Sequence, residues 1–246
     1  MYPMPPARAV RRIRAVALTI AAVLTTMTVS TVVAEDGSPV VRVEEDWVAL
    51  IRTPDRETSA PQIVNVIAPT PSTSAAFGIL ELNHNSVPRF REGGIQIQAW
   101  NSTQNIEART SEKTARLYNV NDRLEYTVTI AVTPEGYQFG VVNGRSRSWG
   151  DFCRNPLTVA APAEAPTLEN YRPEWSVANT NVNVGAHRVE ILYLRSVRYF
   201  HADGTSRTDD TMRVIHRFQD LVQDVSLEEY DQNASFYNIE ITETGG

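Results

Sequence analysis

The chain has 246 residues, 42% of them hydrophobic and 21% charged, with a formal net charge of −6. That length and apolar content support a buried core and exclude the low-hydrophobicity, high-charge class that stays disordered. The negative balance, with no run of basic residues interleaved with aromatics, argues against a nucleic-acid partner, and the single cysteine, Cys153, excludes an internal disulfide and a thiolate zinc cluster.

Residues 1–34 read as a targeting segment. Arg8, Arg11, Arg12 and Arg14 form a basic stretch without an acid, and an uncharged apolar run follows from Ala15 to Val33. Val32-Val33-Ala34 suits a signal peptidase, which places cleavage before Glu35. The run also approaches the length that spans a bilayer, so an uncleaved anchor is the alternative and the one route to a membrane partner. Its five threonines and one serine favour cleavage. Arg11-Arg12 fits a plain basic stretch as well as a twin-arginine signal. No later stretch is apolar enough to span. Residues 35–246 are therefore expected to form one β-sandwich domain outside the cytoplasm of a bacterium, whether secreted, periplasmic or on the cell surface.

After a polar leader, Glu35 to Pro39, the first expected strand is Val40 to Arg52, with Glu44-Glu45-Asp46 breaking its middle. Further β-type runs are Gln62 to Ile67, Phe77 to Leu82, Gly94 to Trp100, Leu124 to Val132, Tyr137 to Val142, Arg188 to Phe200 and Tyr237 to Thr242. Ala68 to Ser74 has the prolines and hydroxyls of a loop, and Thr133-Pro-Glu-Gly136 is a hairpin connection. Asn143-Gly144 reads as another tight turn, and the Ala- and Pro-rich stretch from Pro156 to Pro173 as a surface loop. Val214, Ile215, Phe218, Leu221 and Val222 follow helical spacing, so Met212 to Val222 is the expected short C-terminal helix. Short strands without long helical segments predict an all-β, antiparallel two-sheet sandwich.

Two stretches carry candidate chemistry. Alternation in Gly94 to Trp100 puts Gln96, Gln98 and Trp100 on one sheet face, opposite Ile95, Ile97 and Ala99. Two amides and an indole suit a sugar, whose C–H face lies on an aromatic ring while its hydroxyls exchange hydrogen bonds with amides. The bland alternative is a solvated sheet face with Trp100 packed under a loop. Glu81, Asn83 and Asn85 stand at alternate positions in Phe77 to Asn85, so they too share a face if the strand continues.

This stretch resembles the concanavalin A-like lectin and glucanase superfamily, and Tyr137 to Gly144 followed by Ser148-Trp-Gly-Asp-Phe152 is similar to the strand, turn and Trp-Gly pattern of laminin-G-like sandwiches. The resemblance implies a jelly roll that binds carbohydrate. Laminarinase-type hydrolases of the superfamily carry acid-x-acid-x-acid on one strand, the first Glu as nucleophile and the last as acid/base; here Glu81 alone matches. Retaining hydrolysis needs a second carboxyl about 5 Å away, and Asn85 cannot donate a proton in that way. A binding protein for a glycan or other surface ligand is the leading expectation, lined by Glu81, Asn83, Asn85, Gln96, Gln98 and Trp100. One rival is a polysaccharide hydrolase or lyase that uses Glu81 with Glu107, Glu125, Asp151 or Arg147 brought across by folding. The other is a structural or interaction module of the cell envelope.

Other site chemistries find little support. No histidine pair among His84, His187, His201 and His216 has metal-ligand spacing, and Lys113 is the only lysine. Asp203, Asp209 and Asp210 beside His201 are candidates for a calcium loop, although they match no fixed motif. There is no Gly-x-Ser-x-Gly elbow and no phosphate-cradling glycine loop.

Overall fold

Alternation of Val43, Glu45, Trp47, Ala49 and Ile51 with Arg42, Glu44, Asp46, Val48 and Leu50 builds the central strand, β1 (Val40–Ile51), which runs unbroken through its three acids. The computed structural model describes residues 37–52, 61–72, 76–83, 94–101, 106–111, 117, 119–161 and 166–222, with 106–111 and 221–222 as backbone alone. The chain divides into two units, Met1–Gly37 and Ser38–Gly246, and all the elements of the sandwich belong to the second. The expected targeting segment and the expected strand Tyr237 to Thr242 lie outside the described residues.

The other elements are β2 (Gln62–Ile67), β3 (Phe77–Leu82), β4 (Ile95–Trp100), β5 (Ile106–Ser111), β6 (Asp122–Thr133), β7 (Gly136–Ser146) and β8 (Gly150–Ala160). They are followed by α1 (Pro173–Asn179), β9 (Asn181–Val184), β10 (Val189–His201), β11 (Ser206–Asp209), β12 (Arg213–Arg217) and α2 (Phe218–Val222). One sheet has seven strands in the order β11-β10-β1-β6-β7-β8, with β12 also on β10; the other has five, β5-β4-β3-β2-β9. Every pairing is antiparallel. The protein is thus an all-β, antiparallel two-sheet sandwich with two short helices, and no helix among the described residues is long and apolar enough to cross a membrane.

The core comes from the inward rows of both sheets. Val43, Trp47, Ala49, Leu124, Tyr126, Ile130, Phe139 and Leu194 from one meet Ile63, Ile67, Leu80, Leu82, Ile95 and Ile97 from the other. Each of the large aliphatic and aromatic side chains among them contributes about 1.5–3 kcal/mol on leaving water. Gly78 on β3 lies against the Phe139 ring: a Cβ there would fall 2.6 Å from the ring carbon Cδ1. The second half of the chain completes both sheets, since β10 pairs with β1 and β9 with β2.

Four local expectations are corrected. Glu44-Glu45-Asp46 does not interrupt β1, because its outward acids are met by arginines and its inward acid by hydrogen bonds. Asn143-Gly144 is no turn: β7 continues to Ser146, and Asn143 takes φ 54° at a bulge where the pairing with β6 shifts. The stretch from Pro156 is strand as far as Ala160, since β8 is an edge strand and an edge tolerates a residue without an N–H. Met212 to Val222 is divided between β12 and α2, because the unpaired edge of β10 offers Arg213 to Arg217 a ladder.

Candidate functional site

Alternation along β1 sends Glu44 and Asp46 to the outer face of the seven-stranded sheet and Glu45 to the interior. On the outer face, Arg198 of β10 reaches Glu44 Oε2 at 2.9 Å and Asp46 Oδ1 at 3.2 Å. Thr127 Oγ1 of β6 donates to Asp46 Oδ1 at 2.6 Å, and Ser196 Oγ to Asp46 Oδ2 at 3.2 Å. Glu125, one row along, accepts from Arg123 Nε at 2.8 Å. Arg195 lies between the two acids, 3.7 Å from Glu125 Oε1 and 4.0 Å from Asp46 Oδ2.

Of these residues, Asp46, Glu125, Thr127, Arg195, Ser196 and Arg198 floor an open trough of about 480 Å³, whose walls add Asn143, Arg145, Thr208 and Asp210. A bulge stands on each side of it. On β10 the register passes from Ser196 to Leu194 opposite Asp46 and Trp47, which leaves Arg195 as the extra residue. On β7 it passes from Val142 to Arg145 opposite Thr127 and Glu125. Bulges re-aim side chains in this way. The guanidinium of Arg123, followed by the charges of Arg195 and Arg145, holds the Glu125 carboxyl below its usual range. It stays ionised and serves as an acceptor, not as a proton donor.

Glu45, wholly buried, accepts from Trp47 Nε1 at 2.9 Å and from Tyr171 Oη at 2.5 Å. Burial pushes its carboxyl up to about 7 against the hydrogen bonds that favour the charged form. Burial, and then the charge of Glu45, pushes the Tyr171 phenol up as well. Buried Ser176 of α1 also favours the ionised carboxylate, without a hydrogen bond of regular geometry.

The residues singled out in the sequence are brought together in part. Glu81, Gln96, Gln98 and Trp100 share the outer face of the five-stranded sheet, with Glu81 opposite Gln96 in register. They form a chain: Trp100 Nε1 donates to Gln98 Oε1 at 3.1 Å, and Gln98 Nε2 to Gln96 Oε1 at 2.6 Å and Glu81 Oε2 at 3.3 Å. Glu81, Gln96 and Gln98 are buried, and half-buried Trp100 stacks on Phe77 at 5.7 Å. Asn83 leaves the row: the strand ends at Leu82, Asn83 takes φ 62°, and its wholly buried amide donates to Pro61 O at 2.8 Å. Asn85 lies outside the described residues.

Glu125 and Asp151 belong to the other sheet, and Arg147 donates to Val120 O, so none of the three is brought to Glu81. The side chain of Glu107 is not among those described. The three loop acids also separate. Asp203 Oδ1 accepts from Thr205 in the turn before β11, Asp209 at the far end of that strand binds Thr211 N and Arg213, and Asp210 faces the trough. Bonds from Thr211 and Arg213 hold Asp209 down to about 2.

No known family model matches this chain, and no curated protein matches it significantly. Sequence reasoning missed the trough, because its residues come from five strands and none is a motif. The period-2 alternation of β1 was the available signal.

Proposed function

We propose that this protein binds a polyhydroxylated ligand of the carbohydrate class outside the cytoplasm, and that the trough of the seven-stranded sheet is its recognition face. The observation that carries this reading is the trough's fixed set of donors and acceptors. Asp46 is held by Thr127, Ser196 and Arg198, and Glu125 by Arg123, so the polar groups a sugar would meet are positioned before it arrives. Tyr193, across Val48 from Glu125 on the same outer face, adds half-buried aromatic surface next to the trough's row. The resemblance to concanavalin A-like sandwiches supports the same ligand class. The low-lying Glu125 speaks for binding over acid catalysis.

The test is a glycan-array screen of the purified protein, run with calcium and repeated with chelator. A specific hit that survives chelator is expected, abolished in the double variant Thr208→Ala/Asp210→Ala and retained in Trp100→Ala. Loss in Trp100→Ala alone would move the site to the Gln96-Gln98-Trp100 row. A blank array would favour an envelope interaction module.

A further inference from the structure

We infer that the ligand held in the trough is acidic, a glycan that carries carboxylate or sulfate groups, with Arg195 and Arg145 as the residues that select for the charge. The inference rests on the trough being the recognition face.

The lining carries three carboxylates, Asp46, Glu125 and Asp210, and three guanidiniums, Arg145, Arg195 and Arg198, but they are not evenly paired. Glu44 and Asp46 are closed by hydrogen-bonded contacts from Arg198, and Glu44 also by Arg42 at 3.3 Å. The Glu125 end differs, because three guanidiniums act on one carboxylate. Arg123 takes its hydrogen bond, and the charges of Arg195 and Arg145 add to the field. At 3.7 and 4.0 Å, Arg195 is beyond hydrogen-bonding distance of both acids it lies between. Its side chain is 48% exposed. Arg145 is exposed on the facing wall, opposite Glu125 in register.

Two forks thus face the trough with donors unused among the described residues, each aimed by a bulge on its own strand. A guanidinium fork matches a carboxylate or sulfate with two parallel hydrogen bonds, and that pairing gains both energy and direction. Asp210 on the rim works against an anion, so the fit is to spaced charges along a polymer and not to an anion filling the trough. An acidic protein surface also repels polyanions in general. Binding such a ligand therefore requires a local patch of this kind, and it should weaken as salt screens that patch.

Calorimetry of the purified protein with an oligogalacturonate and with a neutral cello-oligosaccharide of equal length tests this. The acidic oligomer is expected to bind at least about tenfold tighter at low salt, with the margin shrinking as salt rises. Arg195→Ala and Arg145→Ala should each weaken the acidic oligomer about tenfold and the neutral one by a clearly smaller factor. Both residues are at the surface, and circular dichroism confirms the fold of each variant. Arg195→Lys, which keeps the charge and loses the fork, should fall between wild type and Arg195→Ala. Equal affinity for the two oligomers, or acidic binding indifferent to both substitutions, would overturn the inference while glycan binding stands. Binding of neither oligomer would overturn both.

Discussion

Glu45 is the residue on which the physics is sharpest. A carboxyl inside a sandwich loses hydration, and here it recovers only two firm hydrogen bonds, from Trp47 and Tyr171, with Ser176 beside it and Tyr126 and Arg213 acting from farther away. Its folded-state value of about 7 stands above the ordinary 4.5. The folded protein therefore holds a proton that the unfolded chain releases between those values, so stability falls as pH rises through that window and levels off above it. The full effect is about 3 kcal/mol. Denaturant melts between pH 4 and 8 are expected to show this slope, and Glu45→Gln, which keeps the shape without the charge, should remove it. Tyr171→Phe takes away a donor that favours the ionised form, so it should destabilise more at pH 8 than at pH 5. A slope unchanged in Glu45→Gln would assign it to other groups. The position was legible in principle: Val43, Trp47, Ala49 and Ile51 mark the inward row and Glu45 falls within it, but three consecutive acids read as a break. Sequence could not supply Tyr171, which reaches Glu45 from 126 residues away.

At the scale of elements, the strands that alternate cleanly were readable and those at edges were not. Gln62 to Ile67 and Phe77 to Leu82 are β2 and β3 to the residue, because each is a short apolar run bounded by turn chemistry. β8 holds Asp151, Cys153, Arg154, Asn155 and Pro156, and its strand character comes from the ladder offered by β7 and not from propensity. β12 is similar, since Val214 and Ile215 satisfy a helical spacing until β10 supplies a partner. The Gln96-Gln98-Trp100 face was legible as a row, whereas its internal pairing and burial depend on Glu81 and Phe77 of the neighbouring strand. β3 packs closely on β7 at Gly78. Gly78→Ala would push a methyl group into the base of the Phe139 ring, at 2.8 Å from Cγ and 3.0 Å from Cβ, which a rotation of the ring end cannot relieve. A loss of about 1–3 kcal/mol is expected. Gly78→Ala combined with Phe139→Leu should recover part of it, and additive losses in that pair would mean that the clash is not the cause.

For the whole molecule, the order of strands bears on cooperativity. The described chain as far as Ala160 supplies β1 to β8, yet the centre of the seven-stranded sheet is β1 lying between β6 and β10, and β10 comes from beyond the stretch around 161–172. β9 likewise closes the far edge of the five-stranded sheet on β2. Without the second half, β1 would present an open edge carrying Glu44 and Asp46 with no Arg198, and Glu45 would lose Tyr171. Unpaired strand edges and a buried carboxyl stripped of its donor are both strongly unfavourable. A chain cut between Ala161 and Pro166 is therefore expected to give two fragments that are unfolded when made separately and that assemble when made together. Circular dichroism and gel filtration of the separate and co-expressed fragments provide the measurement. Cooperative melting of the N-terminal fragment alone would show that β1 does not depend on β10, and would reduce the trough to an addition on a sandwich already complete. If the fragments fold only together, the trough and the core form as one unit, because Asp46 anchors the trough from the same strand on which Glu45 holds the interior.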